Sequence, residues 1–102
     1  MLALRPNCEC CDVDLPPTSL DARICTYECT FCATCVETVL HNVCPNCGGG
    51  FERRPIRPRK AHRHGVSLAD QKAATERVTT KYSREDLAAF ARQLRDTPPQ
   101  NR

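Results

Sequence analysis

The chain has 102 residues, of which five are Phe or Tyr and none is Trp, so it lacks the material for a large hydrophobic core. Small cores usually depend on metal or disulfide cross-links, and nine cysteines supply these here, whereas no stretch approaches the ~18 apolar residues of a membrane-spanning helix. The formal net charge of +3 conceals an acidic first half, with 2 Arg and no Lys against 7 Asp and Glu in residues 1–52, and a basic second half, with 13 Lys and Arg against 5 Asp and Glu in residues 53–102.

The acidic half is predicted to fold as one metal-binding module over residues 1–52. Its N-terminus has no apolar run long enough for a secretory signal peptide, so we expect a cytoplasmic protein. Residues 16–21 have turn composition, and the β-forming residues at 22–31 predict a short β-hairpin. A single apolar stripe then predicts a short helix that ends at Cys44-Pro45, and this stripe consists of Val36, Val39, Leu40 and Val43.

The basic half is predicted to be a linker followed by a tail. Residues 53–65 are rich in Pro and Arg and have no apolar periodicity, which is typical of an extended linker. The tail, residues 66–102, is predicted to contain a helix at about 83–95, because Ser83 is a good N-cap with Asp86 three residues later. The apolar face of this helix consists of Leu87, Phe90, Ala91 and Leu94.

Eight of the nine cysteines form four closely spaced pairs. A C-x2-C turn can direct two thiolates at one ion, and the cysteines of a cytoplasmic protein stay reduced, which favours metal binding over disulfides. Four pairs fill two tetrahedral sites and leave no coordination position open, so we expect two structural Zn²⁺ ions and no enzymatic activity. A rubredoxin-like iron site is the alternative, but it would need only four cysteines. The pairs are Cys8/Cys11, Cys25/Cys29, Cys32/Cys35 and Cys44/Cys47.

The order of these pairs favours two interleaved sites. Only two residues separate Cys29 from Cys32, so the second and third pairs lie back to back on one short segment. Sequential pairing, which joins the first pair to the second and the third to the fourth, is the alternative. We predict alternate pairing, with site 1 formed by Cys8, Cys11, Cys32 and Cys35 and site 2 formed by Cys25, Cys29, Cys44 and Cys47.

The spacing C-x2-C, x13, C-x3-C-x2-C-x2-C, x8, C-x2-C over residues 8–47 resembles the cross-braced RING pattern in an all-cysteine form, with Cys29 at the position usually held by His. The resemblance implies a small metal-stabilised α+β fold of RING-like or treble-clef type. It would have two zinc sites, a short β-hairpin and one short helix, followed by the basic tail with its C-terminal helix. The resemblance does not extend to a ubiquitin-ligase surface, because Glu9 follows the first ligand, Gly48 follows the last, and Trp is absent.

A second resemblance rests on four phrases of the sequence: Leu4-Arg-Pro-Asn-Cys-Glu-Cys-Cys-Asp12, Asp14-Leu-Pro-Pro17, Ile24 to Cys35, and Cys44-Pro-Asn-Cys-Gly-Gly49. These phrases resemble a family of small bacterial cysteine-rich proteins that is described as a domain of unknown function, number 1272. The resemblance implies a bacterial cytoplasmic zinc-binding protein and brings no activity with it.

Three functions are compatible with these features. The first is a non-enzymatic zinc-binding module that mediates protein–protein interaction. The second is a nucleic-acid-associated zinc protein that uses the basic run at 53–63, whose cations are Arg53, Arg54, Arg57, Arg59, Lys60 and Arg63. The third is a redox- or zinc-responsive switch around the unpaired Cys10. The basic tail has a further alternative, which is docking on its own acidic zinc module.

Overall fold

The structure is a computed structural model that describes residues 1–102. Three short strands form one antiparallel sheet. β1 (Ala22–Ile24) and β2 (Thr30–Cys32) form the hairpin that the sequence predicts. β3 (Glu52–Arg53) pairs with the other edge of β1, so the strand order is β2-β1-β3. β3 overlaps the start of the expected linker. Its two exposed charged residues carry no strand signal, and its pairing with β1 is a product of the tertiary fold.

The predicted short helix is present but ends earlier than its sequence pattern implies. It begins as an α-helical turn, Ala33–Cys35, and continues as a π-helical segment, Val36–Leu40; the two together are called α1 below. His41 and Asn42 then adopt left-handed backbone conformations, with φ angles of 49° and 60°. Two left-handed residues in succession cannot continue a right-handed helix. α1 therefore ends at Leu40 and not at Cys44.

The tail contains helix α2 (Arg84–Leu94), at the predicted position. Ser83 is its N-cap, because the Ser83 hydroxyl accepts a hydrogen bond of 3.1 Å from the Asp86 N–H. Leu87 and Ala91 are buried, so the apolar face of α2 packs against the rest of the protein, including α1. Neither α2 nor any other helix is long and apolar enough to cross a membrane.

The C-terminus closes on the second cysteine knuckle, the turn formed by residues 44–48. A 3₁₀ turn, Pro99–Asn101, follows α2. The Arg102 guanidinium then donates hydrogen bonds to the carbonyl oxygens of Asn42, over 2.8 Å, and Gly48, over 3.1 Å. The end of the chain is thereby attached to the module that contains the cysteines.

The buried core is small and rich in sulfur. Twelve residues form one buried cluster, and five of them are cysteines. The rings of Phe31 and Phe51 meet edge to face with centroids 5.3 Å apart. Because sulfur atoms occupy the core itself, whatever the cysteines bind becomes part of the packing. The members are Cys8, Leu15, Ala22, Cys25, Phe31, Cys32, Cys35, Val36, Leu40, Cys44, Phe51 and Leu87.

A stretch of the tail lies alongside the first cysteine knuckle, the turn formed by residues 8–12. The Asn7 side-chain amide donates to the Val78 carbonyl over 2.8 Å, and its oxygen accepts from the Val78 N–H over 3.3 Å. The Thr80 N–H donates to the Glu9 carbonyl over 2.7 Å. An Asn side chain offers the same donor and acceptor as a peptide group, so Asn7 binds the tail as a neighbouring backbone would.

Arg77 forms both ion pairs of the protein, and both join the tail to the acidic half. Its guanidinium lies 2.9 Å from an Asp12 carboxylate oxygen and 2.6 Å from an Asp14 carboxylate oxygen. All three side chains are exposed, and solvent screens such pairs, so they add little to the free energy of unfolding. Their effect is to orient the tail along the acidic surface.

Arg54 is a buried cation that ties the end of β3 to the N-terminal segment. It is 2% exposed and donates hydrogen bonds to the carbonyl oxygens of Arg5, Leu15 and Pro16 over 2.8, 3.1 and 2.9 Å. Burial lowers the pKa of Arg54 from its ordinary value, but a guanidinium stays charged in proteins. The three carbonyl groups therefore offset the cost of holding this charge away from water.

Replacing Arg54 with Met should lower the free energy of unfolding by about 2–4 kcal/mol. Three carbonyl oxygens lose a charged donor, and only that of Pro16 keeps another one, the Ser19 N–H. The measurement is urea unfolding followed by circular dichroism at a fixed excess of zinc. Arg53→Met is the matched control, because Arg53 is exposed and its loss should leave the unfolding midpoint unchanged. Equal losses of stability in the two variants would contradict the role assigned to the Arg54 hydrogen bonds.

Candidate metal centre

The first knuckle turns back on its first sulfur atom. The N–H groups of Cys10 and Cys11 donate to Cys8 Sγ over 3.4 and 3.5 Å. The Cys8 N–H donates to the Val13 carbonyl and the Asp12 N–H donates to the Cys8 carbonyl, each over 2.9 Å. Asp12 has a left-handed φ angle of 64°, which Asp tolerates better than most residues. The turn thus surrounds Cys8 Sγ with N–H donors that stabilise a thiolate.

The second knuckle repeats this hydrogen-bond pattern. The Cys44 N–H donates to the Gly49 carbonyl over 2.8 Å, and the Gly48 N–H donates to the Cys44 carbonyl over 2.7 Å. The backbone N–H groups of Asn46 and Cys47 face the Cys44 sulfur. Gly48 has a φ angle of 79° at the position after the second cysteine, and glycine adopts this conformation without strain. Two separate stretches of sequence therefore fold into the same thiolate-binding turn.

Four sulfur atoms form the first cluster and lie within 4.8 Å of one another; they belong to Cys8, Cys11, Cys32 and Cys35. The Cys11 and Cys32 Sγ atoms are 3.8 Å apart, which equals the sulfur–sulfur edge of about 3.8 Å in a tetrahedron with Zn–S bonds of ~2.3 Å. The Cys35 N–H donates to Cys32 Sγ over 3.4 Å, so the start of α1 supplies an N–H donor as the knuckle does. The cluster brings together the four cysteines of predicted site 1.

Three sulfur atoms form the second cluster, also within 4.8 Å of one another; they belong to Cys25, Cys44 and Cys47. The fourth cysteine of predicted site 2, Cys29, is not among these mutually close sulfurs. Burial raises its pKa, and the thiols of Cys25 and Cys44 also influence it, so Cys29 lies near this cluster. Closing four sulfurs around one ion requires the Cys29 sulfur to move toward the others. The clusters draw on alternate cysteine pairs, and this grouping fits a cross-brace.

The thiols of each cluster differ in how readily they ionise. Burial raises the pKa of Cys35 and of Cys44 well above the ordinary value, and charge on neighbouring sulfurs raises it further. Burial also opposes ionisation of Cys11 and Cys25, but hydrogen bonds from a backbone N–H and from neighbouring thiols outweigh it and lower the pKa of both. Closely packed thiolates repel one another, so a divalent cation is the species that lets all of them ionise together.

Cys10 lies beside the first cluster but is not one of its members. It is half-buried, and the thiol of Cys35 is among the groups that influence its pKa. Burial raises the pKa of Cys10, although this thiol and the charge of Arg84 act in the opposite direction. Because the thiolate is the reactive form, a raised pKa lowers the reactivity of Cys10 at neutral pH.

The structure divides the six cations of the basic run into two groups. Arg54 is buried against carbonyl groups, and Arg57 donates hydrogen bonds to the carbonyls of Leu2 and Gln71. Neither guanidinium is free to contact a phosphate. The remaining cations have exposed side chains and are Arg53, Arg59, Lys60 and Arg63.

Glu9 supports the first knuckle in a way that the sequence reasoning missed. It is 5% exposed, and its carboxylate accepts a hydrogen bond of 2.6 Å from the Thr30 N–H. The Glu9 N–H donates in turn to the Thr30 carbonyl over 2.9 Å. The knuckle is thereby joined to β2, the strand that ends at Cys32. The signal in the sequence is an acidic residue inside a C-x2-C turn, but its role depends on Thr30, which is 21 residues away on β2.

Two comparisons relate residues at the start of the chain to known sequences. Residues 1–57 match the model of a family described as "Protein of unknown function (DUF1272)". The chain is 72% identical over 58 residues to the uncharacterized protein R02474 of Rhizobium meliloti (strain 1021), a match that covers 57% of this chain and 69% of the relative. No solved structure matches the chain. The cysteine phrases therefore predicted the family correctly, and the chain belongs to the DUF1272 family.

Proposed function

We propose that the chain is a non-enzymatic two-zinc module of RING-like type whose role is protein–protein interaction. The observation that carries the proposal is the alternation of the clusters along the chain. The first cluster takes its sulfurs from residues 8–11 and 32–35, and the second takes its sulfurs from residue 25 and residues 44–47. Each cluster closes a loop that contains members of the other, as in a cross-brace.

Zinc is the metal that best suits these donors. Zn²⁺ accepts four thiolates in a tetrahedral arrangement and has no redox chemistry that would threaten them. Iron binds the same donors in rubredoxin-like sites, but such a site takes four cysteines and leaves the second cluster without a role. In this proposal Cys29 completes site 2 by moving toward Cys25, Cys44 and Cys47.

The proposed role of the metals is structural. Four sulfurs at each ion leave no position for water or substrate, so the ions have no route to hydrolytic chemistry. Zinc binding instead supplies folding free energy to a chain whose core contains few apolar side chains. A cytoplasmic location belongs to the same proposal, because thiolate ligands persist where thiols are kept reduced.

We include the tail as an intramolecular partner of the zinc module. The support is the pair of contacts from Arg77 to Asp12 and Asp14, together with the burial of Leu87 in the core cluster. Tethering keeps the basic segment at a high effective concentration near the acidic module. Eight thiolates around two Zn²⁺ ions would make that module more acidic by about four charges, which strengthens the attraction.

Nucleic-acid association is the second candidate function. The observation that favours it is the exposure of six consecutive residues, 59–64, which include Arg59, Lys60 and Arg63 and no acidic residue. Such a group can neutralise phosphates in a sequence-independent way. The group contains no aromatic residue, so stacking on unpaired bases is not expected, and duplex phosphates are the natural target.

Native mass spectrometry should find two zinc ions per chain, and removing them with EDTA should unfold residues 8–47. Binding of a structural zinc releases about 10–16 kcal/mol, most of which is folding free energy in a small domain. Amide hydrogen exchange before and after chelation measures the unfolding. A single ion, or iron, would contradict the two-zinc assignment. A disulfide-stabilised fold would instead resist EDTA and unfold in reductant.

The pairing of the sites is tested by Cys8→Ala combined with Cys11→Ala in cadmium-substituted protein. Alternate pairing predicts that the remaining cadmium couples to the Cβ protons of the cysteines of the second site in a ¹¹³Cd–¹H correlation spectrum. The matched control is Cys10→Ala, which lies in the same knuckle and should retain both ions. The expected coupling partners are Cys25, Cys29, Cys44 and Cys47. Coupling to Cys32, Cys35, Cys44 and Cys47 would show sequential pairing and refute the cross-brace.

Charge reversal tests the nucleic-acid candidate at three exposed cations, by Arg59→Glu, Lys60→Glu and Arg63→Glu together. If the unmodified protein binds a mixed-sequence DNA duplex at low salt, this variant should reduce the slope of log K against log salt by about three, because each lost phosphate contact removes about one unit.

The charge-matched control for this experiment reverses three exposed cations elsewhere in the tail, Lys72, Lys81 and Arg92. An equal effect in the control would mean that net charge alone governs the binding. No detectable binding of the unmodified protein at low salt would remove the candidate. Arg54 and Arg57 are left unchanged, because their guanidinium groups hold the fold.

A further inference from the structure

A stretch of the tail, residues 74–80, runs alongside the N-terminal segment in a constant register and is called the strap below. Three pairs of residues are joined by hydrogen bonds, and the partners in every pair are 71 positions apart. The strap therefore runs parallel to residues 3–9 and does not cross them at a single point. The pairs are Ala3 with Ala74, Asn7 with Val78 and Glu9 with Thr80.

The strap holds the first knuckle at three points. The first point directly precedes the knuckle, at the Asn7 side chain. The second is the Glu9 carbonyl inside the knuckle. The third is Asp12 at its end, whose carbonyl and carboxylate both accept hydrogen bonds from the Arg77 guanidinium. The knuckle cannot swing away from its sulfur cluster unless these contacts break.

The second knuckle is held by a different part of the chain. No hydrogen bond joins the strap to residues 44–48. The Arg102 guanidinium instead donates to the Gly48 carbonyl over 3.1 Å, at the end of this knuckle. Each knuckle therefore has its own contact with the second half of the chain, and both contacts come from residues beyond 57, where the family match ends.

The sulfurs of the first cluster can be reached from solvent without moving the strap. An open cavity of about 500 Å³ lies beside the cluster, and Cys11, Cys32 and Cys35 are among the residues that line it. No strap residue lines this cavity, and Cys11 is exposed. A small chelator can thus approach the cluster, so the strap does not act by covering it. What the strap can control is whether the knuckle opens.

We propose that the strap is a latch that sets the rate at which site 1 loses its metal ion, and that Arg102 has the corresponding role at site 2. A metal held by four thiolates leaves only after several of them have dissociated, and for Cys8 and Cys11 this requires the first knuckle to move. The free energy of such a local opening includes every contact that the opening breaks. The inference rests on the proposed function, because it concerns the exchange of the proposed metal ions.

A few hydrogen bonds are enough for such a latch, because a rate depends exponentially on free energy. A tenfold change in rate corresponds to about 1.4 kcal/mol, which is within the range of one backbone hydrogen bond together with the bonds of an exposed guanidinium. Loss of the strap contacts should therefore speed metal release from site 1 without unfolding the protein. Site 2 should keep its rate, because its knuckle makes no hydrogen bond with the strap.

The test removes two strap contacts from the full-length protein, by Arg77→Ala combined with Thr80→Pro. The first substitution removes the guanidinium, and the second removes the N–H that binds the Glu9 carbonyl. Lys72→Ala combined with Thr79→Pro is the matched control. It also removes one exposed cation and adds one proline, but neither the Lys72 ammonium nor the Thr79 N–H makes a hydrogen bond. Thr79 and Thr80 both have negative φ angles, as proline requires.

Both variants are loaded with ¹¹³Cd, and the decay of each cadmium resonance after addition of EDTA measures the rate of metal loss from one site. Couplings to cysteine Cβ protons assign each resonance to its site. The double variant should lose the site 1 cadmium about tenfold faster than the control does, and should lose the site 2 cadmium at the same rate. Arg102→Ala should give the reverse pattern, with faster loss from site 2 alone.

The site-resolved rates separate the outcomes. Equal rates in the double variant and the control would show that the inference is wrong, while the two-metal module stands. Faster loss from both sites would mean that the strap stabilises the fold as a whole, which also refutes the latch. Fewer than two cadmium ions in the unmodified protein would instead refute the proposed function. If the double variant loses its metal during purification, Arg77→Ala alone is compared with Lys72→Ala, with the same direction of change expected and the same contradiction if there is none.

Discussion

One short segment carries sulfur atoms of both clusters, and this sharing constrains the rest of the structure. Cys25 belongs to the second cluster, and Cys32 and Cys35 belong to the first. Both knuckles must therefore pack against the same hairpin and the same helix. Since five of the twelve core residues are cysteines, the apolar side chains have only to fill the space around the clusters. A chain with few large apolar residues can form a defined core in this way if metal binds the clusters, because metal–thiolate bonds would then replace area burial as the main source of folding free energy.

The basic half of the chain, residues 53–102, joins this core through contacts of unequal strength. Arg54 is buried and serves three carbonyl groups, so its loss would leave polar atoms without partners away from water. Arg77 makes two short ion pairs, but water surrounds its side chain and screens them. Leu87 adds apolar burial of the kind that a small core needs most. The basic half is therefore held mainly by groups that are buried away from water, and the exposed ion pairs of Arg77 orient the tail.

If each cluster binds a metal through four sulfurs, as proposed, no coordination position stays open and the module acts through its surface. The metal sites would hold α1 and both knuckles rigid, and a rigid surface loses little conformational entropy when it binds a partner. The exposed cations of residues 59–64 form a second surface on a different segment of the chain.

The sequence alone determined the family, the hairpin, both helices and the membership of the first sulfur cluster, because ligand spacing, turn composition and the Ser83 cap are properties of neighbouring residues. Only the tertiary structure decided where the rest of the chain goes. The two residues of β3 have no strand propensity that the sequence reveals. Arg54 cannot be distinguished by sequence from the other cations of the basic run. The Asn7–Val78 hydrogen bonds join residues 71 positions apart. The tertiary structure also placed the Cys29 sulfur outside the close group of the second cluster. A buried donor or a paired edge strand is defined by the groups around it, and those groups come together only when distant parts of the chain pack.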